Sequence, residues 1–352
     1  MQAPGRQGPA RLPRLGGLIF ALSLVLAVPA QAQQWDVPEL DKPQDIAIEA
    51  FRIDFDPERP DRKTFGKLTW LGGIELQSKS TVFGGYSGLA LDETGTRLVA
   101  VSDGGHWLRA HLTTSGERPT GLAEVRIGPL LARNGRRLTK KQNMDAEAVT
   151  PARPGRLDGD LYISFERNHR IGRFPQTAAA IGAPKRYLRL PAAMKRSTTN
   201  KGLEALTVLR GGRYKGRLVA FTERLLDKDG NHMGWILGGR ASETLALKRL
   251  NGFDVTDLAA LPDGGLLVLE RRFRFSEGVQ MRIRRIAAKD VRPDTLMTGE
   301  VLLHARDSLS IDNMEGMAVH RGHDGKTVVT LISDDNFNRV LQRTLLLRFA
   351  LP

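Results

Sequence analysis

The residues best equipped for chemistry in this chain are carboxylates, and they recur at a nearly fixed interval. Glu147 and Glu166, Glu204 and Glu223, and Glu315 and Asp334 are each 19 positions apart, and Asp257 and Glu270 are 13 apart. Asp103 stands alone, with Ser87 in the place of its partner. If all nine converge they cannot stay ionised without compensation, so they must bind cations, pair with Arg or Lys, or take up protons. Asn143, Asn168, Asn200, Asn313 and Asn336 lie near them in sequence and add neutral oxygens, the donor mixture that Ca2+ prefers. Arg167, Arg271, Arg272 and Lys201 lie beside the acids and suit the anionic group of a small ester substrate, a phosphate foremost. In this reading all nine carboxylates are metal ligands, and Glu147, Glu204 and Glu315 also supply a general base. The competing reading is a structural network in which Glu and Arg lock the fold and bind nothing.

Other constellations are poorer. His106, after Gly104 and Gly105, is a candidate base or nucleophile, although a histidine beside Trp107 also reads as a packed one. Gly85-Tyr86-Ser87-Gly88-Leu89 lacks the final glycine of a nucleophile elbow and sits in a strand context, which argues against a serine hydrolase. Asp227-Lys228-Asp229-Gly230-Asn231 resembles half a calcium loop without its closing glutamate and reads as a surface turn. The absence of cysteine excludes a disulfide framework, a thiol nucleophile and Cys-ligated zinc or iron-sulfur sites.

The elements that must position the acids follow from an internal repeat. Five segments share one order of residues: an acidic or polar residue, a short apolar strand, a Gly/Pro/Asp turn, a second apolar strand, then an acid. They start at Ser87, Glu147, Glu204, Asp257 and Glu315. The turns between paired strands, such as Pro262-Asp263-Gly264-Gly265, are hairpin signals, because Gly and Asp tolerate positive φ. A period near 57 leaves room for two further outer strands per unit, the arithmetic of a four-stranded blade. The fold expected is therefore all-β, a single-domain β-propeller of five to six four-stranded blades. The sixth blade would combine strands around Ile46 to Phe55 and Leu68 to Leu76 with Thr344 to Phe349. In an antiparallel hairpin the start of the first strand and the end of the second lie side by side, opposite the turn. Each acid pair then meets at one rim, and circular repetition brings all rims to one mouth of the central channel.

The first 32 residues read as a signal peptide. Arg6, Arg11 and Arg14 precede an apolar run from Leu15 to Val28, and Ala30-Gln31-Ala32 is a cleavage pattern. The domain then spans 33–352, periplasmic or secreted, with no stable membrane insertion after cleavage and a monomer expected. The chain carries 53 Lys+Arg against 39 Asp+Glu, a formal charge of +14, which favours polyanions. Nucleic acid is not the expected partner, because Arg133 to Lys141 and Arg282 to Arg285 lack interleaved aromatics.

The same residues carry a family resemblance. Tyr86-Ser87-Gly88-Leu89, Ser102-Asp103-Gly104-Gly105, Asp145-Ala146-Glu147-Ala148, Phe165-Glu166-Arg167-Asn168, Asn200-Lys201-Gly202-Leu203-Glu204, Leu269-Glu270-Arg271-Arg272 and Asn313-Met314-Glu315-Gly316 form an ordered set. In this set the chain resembles the phytase-like family of exported bacterial proteins, labelled as having esterase-like activity. The resemblance implies a β-propeller and hydrolysis of phosphomonoesters with calcium. A lactonase-like propeller hydrolase and a non-catalytic periplasmic binder or scaffold are the alternatives.

Overall fold

The computed structural model describes residues 39–195, 197 and 201–352. The signal-peptide reading of 1–32 and the proposed ligand Asn200 lie outside them. Five sheets are formed, antiparallel except for the short outermost pair of Ala246 and Leu247 with Leu296 and Met297, and each is built outward from one buried strand. These inner strands are Tyr86–Leu91, Ala146–Pro151, Leu203–Val208, Asp254–Ala260 and Asn313–Arg321, which define blades 1 to 5. Each packs on the next and the fifth packs on the first, so the sheets close into a five-bladed β-propeller. The inner strands are buried on both faces, and accordingly their sequences are near-continuous apolar and small residues.

The second strands are Arg97–Ser102, Leu161–Phe165, Leu218–Leu226, Leu266–Arg274 and Thr327–Asp334, each returning antiparallel along its inner strand. Turn chemistry works as expected from sequence. In the first hairpin Asp92 accepts the backbone N–H of Thr96 and Arg97, and Gly95 adopts φ +69° against the ring of His320. A Cβ there would lie 2.2 Å from that ring, so only glycine fits.

The expected sixth blade does not form. Its strands complete the fifth, in the order Glu49–Ile53, Leu68–Gln77, Thr344–Ala350, Thr327–Asp334, Asn313–Arg321. Thr344 pairs with Leu76 and Ala350 with Thr69, so a strand from near the start of the described chain zips onto the last strand and fastens the ring. Phe55, Trp70 and Phe349 pack ring on ring beneath this seam, with centroids 5.0–5.2 Å apart. A separate blade would have left the edge of the last strand unpaired, which β proteins avoid. Among the described residues no helix is long and apolar enough to cross a membrane.

Candidate functional site

Every inner strand carries a β-bulge at the same level, next to the mouth of the ring. The extra residue is Ser87 in blade 1, Glu204 in blade 3, Thr256 in blade 4 and Glu315 in blade 5, and Glu147 lies in the equivalent irregularity of blade 2. A bulge leaves one residue outside the ladder and re-aims its side chain. On the second strands the residue just beyond the paired position is Asp103, Glu166, Glu223, Arg271 and Asp334. The structurally equivalent pairs are therefore Ser87/Asp103, Glu147/Glu166, Glu204/Glu223, Thr256/Arg271 and Glu315/Asp334.

These groups share one centre. Glu204 is within electrostatic reach of Glu147, Glu166, Glu223 and Glu315, and Glu147 of Glu315, while Asp103 is within reach of Asp145, Glu315 and Asp334. Burial, then the neighbouring carboxylates, pushes Glu147 and Glu204 well above the usual glutamate range. Burial, then Glu315 and Asp103, does the same to Asp334. Burial also raises Glu166, against the backbone N–H of Gly202 that donates to its Oε1 at 2.8 Å. Burial raises Glu315, although Arg271 opposes the rise.

Cations compensate part of this charge. Lys141 Nζ lies 2.5 Å from Asp103 Oδ2 and 2.6 Å from Asp145 Oδ1, bridging blades 1 and 2. Burial works against its charge, but those two acids raise its pKa above the usual lysine value. Arg167, at φ +55°, places Nε 2.5 Å from Asp145 Oδ2. Lys201 Nζ is 3.3 Å from Glu223 Oε2, and Arg271 Nη1 is 3.2 Å from Glu315 Oε1. Among the described residues, Glu147, Glu166 and Glu204 have no Lys or Arg within ion-pairing distance.

Carboxylate oxygens of Asp145, Glu147 and Glu166 lie within 4.8 Å of one another. Two oxygens on opposite sides of one Ca2+ are separated by about twice its ligand distance of roughly 2.4 Å, so this spacing fits one ion. The donor set is all oxygen, which suits calcium or another hard cation rather than zinc. Both oxygens of Asp145 already face cationic side chains, whereas Glu147, Glu166, the adjacent Glu204 and Asp334 have no Lys or Arg partner among the described residues. Asp145 and Lys141 are the members that reading the sequence for chemistry missed. The signals were there: Asp145 lies two before Glu147, and Lys141 lies four before Asp145, as in the short helix Lys141–Met144.

Four expected site residues are placed elsewhere. Asp257 and Glu270 are each one position out of register with the mouth set, whose places in blade 4 are held by Thr256 and Arg271. Asp257 is buried and accepts the N–H of Leu258 and Met317, both at 2.7 Å. Glu270 is fully buried between Arg282 and Arg284, which donate to it at 2.6–2.7 Å. Arg272 donates to Gln280 and Asn251 and lies 4.9 Å over the ring of Phe253. His106 is buried at the start of the third strand of blade 1, where burial and then Arg137 depress it to about 4. It faces a cation rather than the acids, so it joins the packed-histidine reading.

Fold and site together define a five-bladed propeller with a partly compensated carboxylate ring at one end of its channel. The family model for phytase-like proteins, described as esterase-like activity of phytase, matches residues 81–337, and the chain belongs to this family. No curated protein matches the sequence. Among solved structures the chain is similar to the Myxococcus xanthus glutaminyl cyclase, at 11% identity and a TM-score of 0.38 over 90% of this chain and 100% of that one. It is also similar to the β-propeller domain of Cps50 (Swd1) from Myceliophteria thermophila, at 10% identity and a TM-score of 0.36 over 85% and 99%.

Proposed function

We propose that the protein is an exported, calcium-dependent hydrolase of small anionic esters, phosphate esters foremost, acting at the carboxylate mouth. Residues 1–32 would be its signal peptide and 33–352 the mature domain, periplasmic or secreted. The observation that carries the reading is the trio of Glu147 and Glu166, both buried, and Glu204, half-buried, with no cationic partner among the described residues. Two of the three, Glu147 and Glu166, stand with Asp145 at a spacing that fits one cation, and membership of the phytase-like family supports ester hydrolysis. Calcium bound there would polarise the ester and acidify a water.

The chain's own groups have distinct tasks in this scheme. Glu147, Glu166 and Glu204 would hold the cation. Arg271, Lys201 and Arg167, each already at the mouth, would bind the anionic group of the substrate by turning part of their charge away from Glu315, Glu223 and Asp145. Glu315 would then be released to accept a proton from the attacking water. The test replaces Glu204 and Glu315 together by Gln. Calcium binding by calorimetry and turnover of a chromogenic phosphate monoester are both expected to vanish while the far-UV spectrum is retained; full activity in that variant would overturn the proposal. A panel of lactones beside phosphate esters separates the lactonase-like alternative.

One observation favours a second reading. Lys141 ties blade 1 to blade 2, Arg271 ties blade 4 to blade 5, and Glu166 accepts the N–H of Gly202 from the next blade, so the ring of charges also fastens blades together. A purely structural ring predicts no melting shift with calcium or EDTA and no hydrolysis of any ester.

A further inference from the structure

The path of the chain puts a second kind of chemistry on the mouth face. Inner strands leave from the mouth and second strands return to it, so the turns after second strands and the connections between blades all lie on that side. In blade 4 the second strand runs on to Arg274, three residues past Arg271, before turning back at Gly278. At about 3.3 Å per residue the hairpin projects on the order of 10 Å beyond the carboxylate ring. In blade 5 the segment 335–343 leaves from the same level, after Asp334.

These two neighbouring projections carry the four most exposed large apolar side chains among the described residues: Phe275 at 98%, Val340 at 92%, Leu341 at 78% and Phe273 at 67%. The other large apolar residues counted as exposed reach no more than 47%. Single exposed hydrophobes are ordinary, but the extreme ones gathered on one face mark an interaction surface. The same face also carries exposed cations. Arg133, Arg136, Lys140 and Lys248 lie on connections between blades, and Arg339 lies in the blade 5 segment; none has an acid within ion-pairing distance among the described residues. Arg339 donates instead to the carbonyls of Ser78, Ser80 and Phe83, which braces the projection that carries Val340 and Leu341.

We propose that this face docks peripherally on an anionic lipid surface, with the two apolar projections entering the headgroup boundary and the cations of the same face turned toward lipid phosphates. A soluble polyanion would account for the cations and leave the apolar tips unexplained, whereas an anionic bilayer accounts for both. Docking would hold the carboxylate mouth against the lipid headgroups without any spanning segment.

The experiment uses the chain from Gln33 onward, since the ring closes with residues from 39 on and the apolar leader would itself bind lipid. Co-sedimentation is measured with vesicles of phosphatidylglycerol mixed into phosphatidylcholine, and with phosphatidylcholine alone. Binding is expected only with the anionic lipid and is expected to weaken as salt rises from about 50 to about 500 mM. The variant combining Phe273→Ser, Phe275→Ser, Val340→Ser and Leu341→Ser should partition at least tenfold less while melting at the parent temperature. A second variant, Phe275→Trp, keeps the surface intact, and its added emission should shift to the blue with anionic vesicles. Absence of binding to anionic vesicles, equal partition of parent and serine variant, or an unshifted emission from the introduced indole would each overturn the proposal. So would retention on dextran sulfate without vesicle binding, which would assign the cations to a polymer. None of these readouts depends on hydrolysis, so failure here and failure of the enzymatic reading are separable.

Discussion

Arg271 Nη1 lies 3.2 Å from Glu315 Oε1, and Arg271 occupies in blade 4 the place that carboxylates hold in the other four blades. One guanidinium thus interrupts an otherwise acidic ring. Burial works against its charge, but Glu315, Glu223, Glu204 and Asp334 more than offset this and raise its pKa. Replacing Arg271 by Gln should cost about 1.5–3 kcal/mol, the range for a hydrogen bond to a charged group. Because the loss is electrostatic, millimolar calcium should recover much of it. Urea unfolding with and without calcium checks this; a variant as stable as the parent would show that the pair contributes nothing.

If the mouth binds calcium as proposed, the direction of the carboxyl pKa values makes that binding depend on pH. Glu147, Glu204 and Asp334 are raised well above their ordinary values, so the folded chain holds their protons more tightly than the unfolded chain. Their contribution to stability is complete below the unfolded value of about 4.5 or lower and is lost as pH rises through the raised folded values. His106 and His320, depressed by burial to about 4 and about 3, act oppositely, adding stability as pH rises toward 6.5. The melting temperature alone mixes the two effects. The shift produced by calcium isolates the mouth, and it should grow as pH goes from about 5.5 to about 8, with protons released on binding at the acid end. Calorimetry in two buffers of different ionisation enthalpy measures that release. A calcium-induced shift of constant size across this range would contradict the assignment.

Glu270 offers a contrast between an acid that holds the fold and the acids gathered at the mouth. It is fully buried with Arg282 and Arg284 around it, the latter held by both carboxylate oxygens. Glu270→Gln would leave two buried guanidinium groups short of their counter-charge, and breaking such a buried set costs about 3–5 kcal/mol. Glu204→Gln should change stability far less, or raise it in the absence of calcium, because it removes a like charge. Calcium affinity should follow the opposite pattern, unchanged in the folded Glu270 variant and lost in the Glu204 variant. Denaturant midpoints beside calcium isotherms for both proteins decide the matter.

Much of this architecture is legible in the chain itself. The repeat of acid, strand, turn and strand locates all five inner hairpins, because turn residues and buried apolar runs are set locally. The blade count is not local. Strands Glu49–Ile53 and Leu68–Gln77 complete a blade whose core lies near the other end of the chain, and the pairing of Leu76 with Thr344 leaves no local mark in sequence. The error in blade 4 has a sharper cause. Asp257 and Glu270 look like members of the acid series, but the bulge falls at Thr256, and a slip of one residue turns side chains to the other face. That slip moves Glu270 toward Arg282 and Arg284 and places Arg271 at the mouth. Glu147, Glu204 and Glu315 do lie at the mouth, because each falls at the irregularity of its inner strand.

Asp257, although outside the carboxylate ring, bears on its geometry. Its Oδ1 accepts the N–H of Leu258 and its Oδ2 that of Met317, each at 2.7 Å, and the backbone of Leu206 also donates to it. Met317 lies two residues after Glu315, and Leu206 two after Glu204, so one carboxylate ties the strands that carry two mouth acids in blades 3 and 5. Its burial pushes its pKa well up, against the pull of those backbone donors. A carboxamide in its place supplies one acceptor oxygen where two are used, and its NH2 would face a backbone N–H as a second donor. The expected result of Asp257→Asn is a loss of about 1–3 kcal/mol, the usual cost of an unsatisfied buried group. On the proposed calcium site, affinity should fall several-fold while the pH at which binding is half-maximal stays at the parent value, because the mouth carboxyls remain and only their spacing relaxes. A variant that loses stability but binds calcium as the parent does would show that Asp257 supports the ring of strands without setting the distance between Glu204 and Glu315.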